Sequence, residues 1–138
     1  TMYENVLLPV DGSEGSARAE DFALELAGRY GGTVHVLHVI DTRLMSEPAL
    51  SSMELVTDEA EAAAKELLGE VEEHATDEGL EVTTRCCHGK PHEEIVAYAD
   101  EIDADVVVMG YRGQSHEQRI GSVVDRVLRE IDRPVLAV

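Results

Sequence analysis

The chain has 138 residues, enough for one domain with a real core and too few for two. Its 29 acidic against 11 basic residues give a formal charge of −18, a field that repels nucleic acid and anionic lipid headgroups. With only Lys65 and Lys90 as lysines and few aromatic side chains, the composition suits a cell interior rich in salt, where screening relieves self-repulsion.

The first strand is expected over Asn5–Val10, apolar on consecutive positions as in strands covered on both faces. Asp11-Gly12-Ser13 breaks it, and Ser13 or Ser16 can cap the helix that follows. There Phe22, Ala23, Leu26, Ala27 and Tyr30 recur at helical steps until Gly31-Gly32 stops the helix. Thr33–Ile40 reads as the second strand, with His35 and His38 on opposite faces; His38 reads as a hydrogen-bonded core histidine ahead of one that approaches a ligand crevice. Asp41–Val56, polar and holding Met45, Pro48 and Met53, reads as a surface loop or lid.

Thr57-Asp58 precedes the second helix, marked by Ala60, Ala64, Leu67, Leu68, Val71 and Ala75, and Gly79 follows it. In the third strand, Leu80–Cys87, the neighbours Cys86 and Cys87 point to opposite faces, which argues against a disulfide between them. His88 and His92 flank Gly-Lys-Pro but match no closed zinc spacing, so no metal site is expected. Pro91 fits the first turn of a third helix with Ile95, Ala99 and Ile102 inward. Asp105–Gly110 is the fourth strand, Gly121-Ser122 opens a fourth helix with Val124, Val127, Leu128 and Ile131, and Pro134–Val138 is the fifth strand.

Alternating strands and helices with right-handed crossovers give an α/β fold, a parallel sheet with helices on both faces, and residues 1–138 read as one domain. No apolar stretch approaches the roughly 20 residues that span a bilayer, and Met2 begins a strand pattern where an export signal would be expected. A cytoplasmic protein with no membrane partner and no nucleic-acid partner is the expectation.

In an open doubly wound sheet, ligands bind beyond the carboxyl ends of the strands where the strand order reverses. Two loops suit that place: Pro9-Val10-Asp11-Gly12-Ser13 after the first strand and GYRGQSHEQRIGS after the fourth. The second offers Gly110 and Gly113 for a backbone that can wrap phosphate, a helix start at Gly121-Ser122, and positive charge at Arg112 and Arg119. It is not a Walker loop, having no Gly-Lys-Ser/Thr. Asp11 can accept hydrogen bonds from a base or ribose, or serve as an Asx-turn residue. Ser13, Ser115 and Ser122 have no arrangement of histidine and acid that would make a nucleophile.

The ordered set NVLLPVDGSEGS, VHVLHVID, GKPHEEIVAYADEIDADVVVMG, GYRG with the later GS, and RPVLAV resembles the universal stress protein family over nearly the whole chain. The resemblance implies an adenine-nucleotide α-hydrolase-like fold, a single five-stranded parallel sheet in the order 3-2-1-4-5. It further implies a homodimer joined through the last strand and, in one branch of the family, bound ATP. That branch resembles this sequence at Pro9, Val10 and Asp11, where Asp11 would contact the adenosine, and at Val39, whose backbone would bond the base. Met109 and Gly110 would lie beside ribose and phosphates, and Arg112, Gly113, Gly121, Ser122 and Val123 would line the phosphate groove.

One departure concerns length. The pattern places nine residues between its second and third glycines, whereas only Gln114–Ile120 separate Gly113 from Gly121, two residues fewer. Two residues can shift an extended backbone by several Å. The expected function is an ATP-binding, dimeric nucleotide-dependent switch or sensor in the stress response, with a protein partner of unknown identity. Mg²⁺ or Mn²⁺ bridging the phosphates would permit at most slow hydrolysis. The alternative is a nucleotide-free dimeric interaction module whose pocket the short loop has closed.

Overall fold

The consecutive apolar residues Val6, Leu7 and Leu8, and again Val106, Val107 and Val108, are at most 1% exposed, which requires a cover of helices on both faces of the sheet. The computed structural model describes residues 2–42, 50–111 and 120–138, without the side chains of 50–56. It contains β1 (Asn5–Pro9), α1 (Glu14–Tyr30), β2 (Thr33–Asp41), α2 (Leu50–Asp77), β3 (Glu81–Gly89), α3 (Pro91–Glu101), β4 (Val106–Met109), α4 (Ser122–Glu130) and β5 (Val135–Ala137). All neighbouring strands are parallel, in the order β3-β2-β1-β4-β5, as the resemblance implied.

Alternation along the strands sorts the core into two layers. Val6, Leu8, Val34, Val36 and Val108 pack with Ala23, Leu24, Leu68 and Val71 under α1 and α2. Leu7, Leu37, Val107 and Met109 pack with Ile95, Ala99, Val124 and Val127 under α3 and α4. Of the two candidate caps, Ser13 is the N-cap of α1, its Oγ accepting from the Ser16 N–H, and Gly31 ends the helix in the left-handed conformation at φ 68°.

Several details differ from the expectation. Helix α1 buries Ala19, Ala23, Leu24 and Ala27, while Phe22 is 49% exposed and Tyr30 sits edge-on against Tyr3, ring centroids 4.9 Å apart. Small side chains let the helix lie close to the sheet, so the buried stripe is rotated toward alanine. Helix α4 likewise turns Val124 and Val127 inward and leaves Leu128 exposed. Helix α2 begins at Leu50, so the second half of the expected 41–56 loop is helical. No glycine or proline lies between Leu50 and Asp58 to stop it. Met45 and Pro48 lie outside the described residues. Strand β3 pairs with β2 along its whole length but is largely exposed, as befits a sheet edge. Its Cys87 packs against the α3 side while Cys86 is exposed, and both are free thiols.

Two clusters lock the frame. Arg133 binds Asp103 at 2.8 Å, the Ala104 carbonyl at 2.9 Å and Asp100 at 3.3 Å, fastening the turn before β4. His74 joins α2 to α1, its Nδ1 2.6 Å from Glu20 Oε2 and its Nε2 3.4 Å from Glu78. The hydrogen bond to Glu20, helped by the charges of Glu20, Glu78 and Asp21 against the opposing effect of burial, raises the His74 pKa. A raised folded-state pKa means this contribution is complete below the unfolded value of about 6.5 and fades as pH climbs through the folded value. Because the His74 side chain is 37% exposed, solvent keeps the contribution within about 1 kcal/mol. Melting wild type beside His74→Gln at pH 5.5 and pH 9 should show a gap at the lower pH that closes at the higher. A gap independent of pH would contradict it.

Candidate functional site

Strand β1 pairs with β2 on one side and with β4 on the other, so the chain turns away in opposite directions beyond their carboxyl ends. That is the reversal point at which doubly wound sheets bind ligands. The wall beyond β1 is held one residue at a time. The Val10 N–H donates to the Leu37 carbonyl at 2.8 Å, and the Val10 carbonyl accepts from His38 Nδ1 at 2.7 Å. The Asp11 N–H donates to Ser16 Oγ at 3.2 Å, and Asp11 Oδ1 accepts from the Ser13 N–H at 2.9 Å. Asp11 thus makes the Asx-turn that its sequence position allowed, with its side chain at the exposed mouth of the turn. Gly12, at φ 81°, takes the conformation that completes it.

The wall beyond β4 is built by close approach. A Cβ on Gly110 would lie 2.4 Å from the Gly15 carbonyl carbon, so β4 and the first turn of α1 touch backbone to backbone. The next residue, Tyr111, donates its N–H to the Val138 carbonyl at 2.7 Å and accepts from the Gly121 N–H at 2.7 Å. The second bond clasps the two ends of the glycine loop and brings the start of α4 to the end of β4. Arg112 and Gly113 lie outside the described residues.

Gly121 caps α4 without any side-chain hydrogen bond, and the first-turn amides of a helix have no partner within it. The helix dipole adds to the attraction for an anion. Asp125 in the first turn opposes it, though Arg129 Nε lies 3.2 Å from that carboxylate. Ser122 is exposed and Val123 half-buried; Pro9 and Val39 are half-buried, whereas Val10 and Met109 are buried. Gly15, Ser16, His38 and Tyr111 also belong to this region; sequence reading offered Ser16 as a helix cap, weighed His38 for the crevice and had Tyr111 within the second loop, but gave none of the four a binding role.

Other candidates resolve into structure. His35 bridges Asn5 Oδ1 at 3.0 Å and Thr83 Oγ1 at 2.9 Å, and burial lowers its pKa, so it is neutral and ties β3, β2 and β1 together. Burial, with the Glu94 carboxylate beside it, pushes the Cys87 thiol up to about 11, which leaves it protonated and a poor nucleophile at neutral pH. His88 lies 3.2 Å from Glu61, and His92 is buried with its ring 3.9 Å from Glu130. Among the described residues, no three His, Cys, Asp or Glu side chains are arranged to hold a metal. No helix among them is long and apolar enough to cross a membrane. A separate cleft of about 580 Å³ lies between α2 and β3, lined by Glu61, Lys65, Gly69, Glu72, Thr84 and Cys86 among others. It borders the sheet edge, away from β1 and β4.

The fold defines a doubly wound α/β domain whose strand order reverses between β1 and β4. The chain belongs to the universal stress protein family, whose sequence profile matches residues 2–138. It is 33% identical to universal stress protein MJ0531 of Methanocaldococcus jannaschii over 99% of this chain and 82% of that protein. Its fold matches the solved structure of MJ0577, from the same organism, with a TM-score of 0.91, 28% identity and coverage of 100% of this chain and 96% of the other. A universal stress protein solved in complex with cAMP matches at TM-score 0.77 and 26% identity over 100% and 98% of the two chains. One from Archaeoglobus fulgidus in complex with dAMP matches at 0.76 and 28% over 99% and 98%.

Proposed function

We propose that this chain binds an adenine nucleotide, ATP foremost, between the loops after β1 and β4, and acts as a dimeric nucleotide-dependent switch in the stress response. The observation that carries the reading is the start of α4, clasped to the end of β4 through Tyr111 and Gly121, with Gly110 set against Gly15 in the helix that follows the Asp11 turn. In this reading Asp11, with Pro9 and Val10 leading into it, takes the adenosine, and the Val39 backbone bonds the base. Met109 and Gly110 flank the ribose, and Arg112, Gly113, Gly121, Ser122 and Val123 hold the phosphates. The cAMP and dAMP complexes of related structures support an adenine ligand. Any Mg²⁺ or Mn²⁺ would arrive with the phosphates, and hydrolysis would be slow at most.

Dimerisation through β5 fits the three-residue edge strand and its 39% exposed Leu136, since an apolar edge left open invites pairing with another chain. Asp125 in the first turn of α4 favours the nucleotide-free interaction module instead. Calorimetry in high salt on protein stripped of nucleotide, with AMP and with ATP and Mg²⁺, separates the two readings. We expect saturable binding that the Asp11→Ala, Gly113→Val double variant loses, from protein that elutes as a dimer. Absence of heat with either nucleotide would leave the interaction module as the better account.

A further inference from the structure

We propose that His38 is a positioning residue that ties β2 to the wall of the nucleotide crevice beyond β1, a role that rests on the nucleotide reading above. A carbonyl oxygen only accepts hydrogen bonds, so the 2.7 Å contact to the Val10 carbonyl fixes the proton on Nδ1 and leaves Nε2 bare in the neutral ring. Val10 lies one residue beyond the last paired position of β1, Pro9 opposite Leu37. Both of its backbone groups nonetheless reach β2, the N–H to Leu37 and the carbonyl to His38.

The residue that follows is Asp11, whose own N–H is taken by Ser16 Oγ, a side chain 6% exposed. The peptide unit between Val10 and Asp11 is therefore anchored at both ends, its carbonyl by His38 and its N–H by Ser16, and the Asp11 carboxylate is further held by the Ser13 N–H. The same His38 immediately precedes Val39, the residue proposed to bond the base. One side chain thus sets the spacing between the group proposed for the adenosine and the strand proposed for the base. A bond geometry lost by 1 Å exceeds what a hydrogen bond tolerates.

The test compares wild type, His38→Leu and His38→Asn by calorimetry with AMP in high salt. Leucine keeps the bulk and loses the donor, whereas the asparagine amide can donate from a position close to that of Nδ1. His38→Leu should weaken AMP binding ~10-fold, the loss of one good hydrogen bond, and His38→Asn should recover most of it. Equal binding by wild type and His38→Leu overturns the proposal, as does a leucine-sized defect in the asparagine variant. Two measurements do not depend on nucleotide. The ¹⁵N shifts of wild-type His38 should report the Nδ1–H tautomer, and the Ser13 amide, which donates to Asp11, should exchange faster in His38→Leu. An Nε2–H tautomer or an unchanged Ser13 exchange rate overturns the positioning role. Failure of wild type itself to bind AMP or ATP counts instead against the nucleotide reading, and the tautomer measurement still decides His38 should the leucine variant fail to fold.

Discussion

Gly110→Ala should destabilise the protein by about 3 kcal/mol or more, well beyond the usual effect of a single methyl. The added Cβ would lie 2.4 Å from the Gly15 carbonyl carbon, 2.7 Å from its oxygen and 2.8 Å from its Cα. All three are backbone atoms in the first turn of α1 and cannot rotate away. Reaching even 3.4 Å, the near edge of ordinary contact, requires a separation of about 1 Å between β4 and α1, and close-packed interiors resist such shifts. The turn holding Asp11 is tied to α1 through Ser13 and Ser16, so it would move as well. Gly12→Ala makes a useful contrast, since its Cβ meets nothing within 4 Å and only the φ of 81° opposes it, at a cost of about 1 kcal/mol. Urea unfolding of both variants at one high salt concentration provides the comparison. Should Gly110→Ala stay within about 0.5 kcal/mol of wild type, or rank below Gly12→Ala, the backbone contact is not what fixes glycine at 110.

This contact changes what Gly110 means. In the sequence it reads as a glycine that lets backbone approach phosphate; in the fold it first lets β4 approach α1. Strands were legible because Val6-Leu7-Leu8 and Val106-Val107-Val108 need cover on both faces, and the alternation of segments then dictated a parallel sheet. The faces of α1 and α4 were less legible. A stripe of alanines and one of larger residues have the same helical spacing in α1, and only contact with the sheet decides between Ala23 and Phe22. The start of α2 was misplaced because Thr57-Asp58 looks like a cap although the helix was already under way. The parts played by Ser16, His38 and Tyr111 were not legible for a different reason: Ser16 and His38 bond backbone groups of the β1 turn and Tyr111 bonds through its own backbone, and such partners carry no sequence signal. The Asx-turn of Asp11 was legible, and its proposed ligand role leaves the same mark in a sequence. Arg112 and Gly113 lie outside the described residues, so their part in the crevice rests on the family pattern alone.

Raising NaCl from about 0.1 M to about 2 M should stabilise the folded chain markedly, with a melting midpoint higher by ~10 °C or more, equivalent to several kcal/mol for a domain of this size. The formal charge of −18 sits on a fold whose expected radius of gyration is about 14 Å. At 0.1 M salt the Debye length is about 10 Å, so carboxylates on neighbouring turns and helices still repel; at 1 M it is about 3 Å and only adjacent charges do. The unfolded chain spreads the same charge over a larger volume, so low salt penalises the folded state more. Salt also screens favourable pairs, but Arg29–Glu25, Arg85–Glu101 and Arg129–Asp125 are largely exposed and contribute little to begin with. Repulsion is concentrated on α2, where Glu66 and Glu70, and Glu73 and Asp77, face each other one turn apart. That helix also flanks the exposed edge strand β3, so amide exchange should accelerate there first as salt is withdrawn. A Glu66→Lys, Glu73→Lys variant should be more stable than wild type at low salt and less responsive to added NaCl. Sucrose at matched osmolality separates screening from general solvent exclusion, which strengthens burial for any protein. A midpoint that climbs equally in sucrose, or a lysine variant whose salt response matches wild type, would place the effect in hydration of the folded surface and not in charge repulsion.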